Sequence, residues 1–141
     1  MNWKLIFRLS LFGLAMGMAT VYVIPSNIEP AFWLVIFLIC AYLIAKGTAG
    51  AGMHFLHGFF VSMVNSVWIT AAHVLFFDRY IAGHAEEAAM MKTWSLPTSR
   101  GAMALVGPGF GVLFGIILGV FALVAGKLVK SAPAPGSKVP A

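Results

Sequence analysis

Three histidines, His54, His57 and His73, lie in one uncharged stretch, residues 47–77, together with Ser62, Asn65, Ser66 and Thr70. Imidazole titrates near neutral pH, and a carboxamide donates and accepts hydrogen bonds at once. Such a set suits either bonding between helices or the wall of a narrow polar path. At about 100° per residue, with His54 at zero, Asn65, Ser62, His73, Ser66 and Thr70 fall between about 20° and 160° and share one side of a helix. The opposite sector holds Leu56, Phe60, Met63, Val64, Val67, Ala71, Val74 and Leu75 and is expected to face lipid.

Other chemistries fit less well. His54 and His57 are one turn apart, but two imidazoles without carboxylate or thiolate partners make a poor metal site. A bis-histidine haem needs ligands from facing helices, and the other apolar stretches contain no histidine. In the polar loop His84, Glu86 and Glu87, with Asp78 nearby, are expected to be solvated rather than to bind a cation. No nucleophile is paired with a base, no phosphate-binding glycine loop follows a strand, and no carboxylate sits inside an apolar stretch. Neither metal nor cofactor is expected, and the chain does not read as an enzyme.

The elements that must position these residues are apolar blocks. Of 141 residues, 61% are hydrophobic and 9% charged, and the mean hydropathy is +0.96. Four stretches lack Asp, Glu, Lys and Arg: residues 9–24, 30–45, 47–77 and 101–126. A bilayer-spanning helix needs about 20 such residues. The expected spans are residues 5–24, 30–46, 53–77 and 103–126, with Arg8 snorkelling, in one all-α, up-down, four-helix transmembrane domain covering residues 1–130. The Gly/Ala-rich segment 47–52 suits a chain reversal. A β-barrel is excluded because the blocks do not alternate polar and apolar residues. Cys40 has no second cysteine to bond and lies in an apolar block as filler.

Gly107, Gly111, Gly115 and Gly119 recur every fourth residue, a glycine zipper, and Gly13 with Gly17, and Ala15 with Ala19, form a smaller version. Missing side chains let helices approach and gain van der Waals contact, the main source of helix association in lipid. These faces pack either the protein's own bundle or copies of it into an oligomer. Pro108 either starts the core of the last helix or kinks it.

Basic residues at helix ends are retained in the cytoplasm. With both termini inside, Lys4, Arg8, Lys46, Lys127, Lys130 and Lys138 are cytoplasmic and only Arg79, Lys92 and Arg100 are outside, a six-to-three split. The rival reading, a signal peptide cleaved after the small-x-small run Gly17-Met18-Ala19, is disfavoured by the apolar run continuing through Val21 to Ile24. The net charge of +5 is scattered at block ends, so nucleic acid is not an expected partner. In the outer loop, residues 78–100, the segment 85–94 with Met90, Met91 and Trp94 predicts a short interfacial helix ended by Pro97. The tail, residues 131–141, is too polar and proline-rich to bury anything and is expected to be disordered.

Residues 55–127, about half of the chain, with Phe59-Phe60, Asn65-Ser66, Phe76-Phe77-Asp78 and a glycine-rich last helix, resemble small four-helix bacterial membrane proteins of a family without an established activity. The resemblance implies a bacterial cytoplasmic membrane and carries over no functional residue. The expected function is a structural or accessory one through helix packing, with the lipid bilayer and either further copies or another membrane protein as partners. The alternative is an oligomeric channel or proton-linked carrier with a path lined by the third helix.

Overall fold

The computed structural model describes residues 1–93 and 99–129. Its elements are α1 (Trp3–Tyr22), α2 (Glu29–Gly47), α3 (Ala51–Leu75), α4 (Phe77–Gly83), α5 (Ala85–Lys92) and α6 (Ser99–Leu128). The described residues contain no strand. Four of the helices, α1, α2, α3 and α6, are long and apolar enough to cross a membrane.

Local chemistry sets the helix ends. Asn2 caps α1, its side chain accepting from the Leu5 N–H at 3.1 Å. α2 opens with Pro30 in its first turn, where a missing N–H costs nothing, and carries Glu29 at its start and Lys46 at its end, matching the helix dipole. The turn into α3 hinges on Gly50, whose φ of +86° a side chain would strain. The expected spans are therefore displaced: α1 stops two residues early, at Tyr22, and α3 covers Ala51–Leu75. Pro108 does not start α6, which runs unbroken back to Ser99.

α3 lies between α1 and α6. Asn2 meets His57, Gly13 meets Asn65 and Thr20 meets His73, so α1 and α3 run in the same direction. Contacts of α6 with α3 progress the other way, from Gly107 on Thr70 to Gly119 on Phe55, and the two are antiparallel. α2 completes the bundle against α6, with Phe37 edge-on to Phe114 and Phe121 at 5.9 and 6.3 Å between ring centres. Ile6, Leu9, Phe37, Ile44, Val61 and Leu118 fill the space the four helices enclose.

Two expectations about surfaces need correction. Leu56, Val67, Ala71 and Leu75 of α3 are exposed, but Phe60, Met63, Val64 and Val74 are half-buried, because neighbours on two sides leave α3 only a narrow free strip. Among the described residues, the segment between α3 and α6 contains two short helices where one was expected: α4 was not expected, and it turns back to pack on α1. Trp94, Pro97 and the tail 131–141, named above for the interfacial helix and the disordered end, lie outside the described residues.

Candidate functional site

α3's polar residues divide between its two neighbours. On the α1 side, His57 is 1% exposed; its Nδ1 bonds the Met53 carbonyl at 2.7 Å and its Nε2 accepts from the Asn2 N–H at 2.9 Å. A carbonyl can only accept and an N–H only donate, so the ring is the neutral Nδ1–H tautomer. On the helical wheel His57 sits near 300°, beside the sector assigned to lipid; it is nevertheless covered, because the chain's N-terminus folds over it. Asn65 lies next along the same side, its Oδ1 accepting from the Gly13 N–H at 3.1 Å. His73 follows, with Nε2 2.8 Å from the Thr20 hydroxyl. Trp68 Nε1 donates to the Ser10 hydroxyl at 3.2 Å.

On the α6 side the polar groups meet glycine. A Cβ added at Gly107 would collide with Thr70, one at Gly111 with Ser66, one at Gly115 with Phe59 and one at Gly119 with Phe55. Ser66 donates back to the Met63 carbonyl at 2.8 Å, satisfying its own hydroxyl within the helix. His54 packs against Gly126, and its Nε2 lies 3.1 Å from the Thr48 carbonyl. His54 and His57 therefore bond separate backbone groups. Ser62 is buried, and on the α1 side Gly17 backs onto Ile69 and Ala72. Ala15 is exposed and takes no part.

A second set of side chains forms where α3 meets the elbow between α4 and α5. Tyr80 is sandwiched between two imidazoles, 3.9 Å from His73 and 4.1 Å from His84 between ring centres, both nearly parallel to it. His84 ends α4: its Nδ1 bonds the Tyr80 carbonyl at 2.9 Å, satisfying one of the acceptors a helix C-terminus leaves open. The residue expected to be solvated in the loop is thus 2% exposed. Of its expected neighbours, Asp78 pairs with Arg100 at 2.7 Å and Glu87 accepts from the Ser26 hydroxyl at 3.0 Å. Burial, then the carboxylates of Glu87 and Glu29, push the Tyr80 phenol well above its ordinary pKa.

Several members of these sets were not singled out by sequence. Ser10 and Thr20 share one face of α1 with Gly13 and Gly17, and that spacing of small and polar residues was a usable signal. Gly58, pressed against the α6 backbone at Leu118 and Gly119, had none, because its partners lie on another helix.

The polar groups so placed can fasten helices. Two buried side-chain atoms lack a hydrogen-bond partner among the described residues, Asn65 Nδ2 within α3 and His84 Nε2 at the elbow. Among the same residues no group of three or more His, Cys, Asp or Glu is placed to hold a metal ion. No family model matches the chain, and neither a curated protein nor a solved structure is found to match it.

Proposed function

We propose that this chain is a multi-pass protein of a bacterial inner membrane, with four spans in up-down order and both termini in the cytoplasm. Its role is structural or accessory, exercised through helix packing. Support for the location comes from the length and apolar character of α1, α2, α3 and α6 and from the exposed Leu34, Val35, Leu38, Leu105, Leu113 and Val120 on the outer faces of α2 and α6. Lipid covers such faces at no cost, and a membrane partner or a further copy fits them equally.

The observation that carries the role is the fate of the polar side of α3. His57, Asn65 and His73 are engaged by α1, and Ser66 and Thr70 lie against glycines of α6. Interhelical hydrogen bonds of this kind contribute about 0.6 kcal/mol each in membranes. A conducting path in one copy would need those groups free to meet water or solute.

One observation favours the channel or carrier reading: Asn65 Nδ2, a buried donor without a partner among the described residues. A flux assay separates the two. The purified protein in liposomes is expected to carry no proton flux above that of empty vesicles, and Asn65→Leu is expected to change nothing. A flux seen with the wild type and lost in Asn65→Leu would install the transport reading. In spheroplasts of a bacterial host, a cysteine at Glu86 should react with an impermeant maleimide added from outside and one at Lys46 should not. The reverse pattern would invert the orientation.

A further inference from the structure

Between the end of α1, the loop that follows it and the elbow after α4 lies a cavity of about 240 Å³, walled by Thr20, Tyr22, Pro25, Arg79 and His84 among others. Two of these residues have unused binding capacity. His84 is 2% exposed, and with Nδ1 committed to the Tyr80 carbonyl its Nε2 is met by nothing among the described residues. Arg79 extends over the Tyr22 ring at 5.9 Å and makes no ion pair among the described residues. Glu87 is taken by Ser26 and Glu29 by Trp33, and neither carboxylate lines the cavity.

An unmet imidazole nitrogen and an unpaired guanidinium in the wall of one cavity suit a ligand carrying both a hydroxyl and an anionic oxygen. The hydroxyl, which can both donate and accept, meets His84 Nε2; the anionic oxygens accept from Arg79. We propose that the cavity binds a hydroxylated phosphate, held between Arg79 and His84. Two sources offer that chemistry. Inorganic phosphate supplies a P–O–H and anionic oxygens, and a phosphatidylglycerol headgroup supplies glycerol hydroxyls and a phosphodiester. The cavity lies beside the end of α1, where a headgroup would stand if α1 spans the bilayer as read above; the phosphate arm does not depend on that reading.

The imidazole nitrogen is itself the reporter. With ¹⁵N-histidine-labelled full-length protein in a non-ionic, phosphate-free detergent, the His84 Nε2 resonance is assigned by its disappearance in His84→Phe, which keeps a flat ring against Tyr80. That resonance is then followed during addition of inorganic phosphate and, separately, in nanodiscs of phosphatidylcholine with and without phosphatidylglycerol. Saturable movement in one arm is expected, and the arm that responds identifies the source. Arg79→Gln, a change at an exposed side chain, should weaken the effect at least tenfold while leaving the thermal midpoint unchanged. No movement in either arm, or movement that Arg79→Gln leaves intact, overturns the site. Failure of the phosphatidylglycerol arm alone, with inorganic phosphate binding, leaves the site standing and assigns it to the free ion.

Discussion

Gly58→Ala should unfold this bundle more readily than any other single methyl group added to a helix glycine of α3 or α6, at a cost of about 2–3 kcal/mol. A Cβ at Gly58 would stand 2.7 Å from the Leu118 carbonyl oxygen and 2.8 Å from the Gly119 backbone N and Cα. All three are main-chain atoms of a 30-residue helix, so no side chain can turn aside. The two helices must separate, and every close contact along the seam, Gly111 on Ser66 and Gly115 on Phe59 among them, loosens with it. At Gly109 a Cβ would meet nothing within 4 Å, so Gly109→Ala is the matched control and should cost nothing. Thermal unfolding in detergent, followed by circular dichroism, checks the pair. Equal midpoints for the two variants would falsify the approach of α3 to α6.

Tyr80→Ala should release the α4–α5 elbow without dissolving the bundle. Tyr80 is 6% exposed and stacked on both faces. Truncating a buried aromatic ring costs about 3–5 kcal/mol, more than a seven-residue helix can replace from its own propensity. Hydrogen exchange should accelerate by at least a hundredfold across residues 77–92 and remain slow in the middle of α3. Uniform protection in the variant would mean that the elbow is held by something other than the ring stack.

The same tyrosine predicts an alkaline limit. Its folded pKa is raised, so the folded protein holds the phenolic proton more tightly than the unfolded chain does. The stabilisation is complete below the unfolded value of about 10 and is lost as pH rises from there towards the folded value. Tyr80→Phe keeps the ring and should flatten that alkaline loss.

How much of this was legible depended on where the determining partner lay. The number and approximate extent of the long helices follow from apolar blocks that need no partner to be recognised. The polar side of α3 was equally visible, since Asn65, Ser66 and Thr70 stand out against their own helix. What they touch was not: that Asn65 takes a backbone N–H of Gly13, or that Gly58 abuts Gly119, depends on how one helix is rotated against another. His84 was misjudged for a related reason. Its loop is polar by composition, yet a carbonyl four residues back and a tyrosine face draw the imidazole under cover. Nothing within the loop's own composition encodes the role of His73, which completes the stack from another helix.

The hydrogen bonds of α3 also carry an order in time. His54 is met by Thr48, His57 by Asn2 and Met53, Asn65 by Gly13, Ser66 by Met63, Trp68 by Ser10 and His73 by Thr20. Every one of these partners precedes its α3 residue in the chain. If the chain spans a bilayer, as proposed above, and is threaded into it from its N-terminus during synthesis, the most polar of the four long helices enters only after the residues that satisfy it have been made. It need not wait for α6, whose glycines then close over a surface whose hydrogen bonds are largely complete. A nascent chain stalled before α6 would thus present the quality-control machinery with an unpacked seam rather than with bare polar groups in lipid.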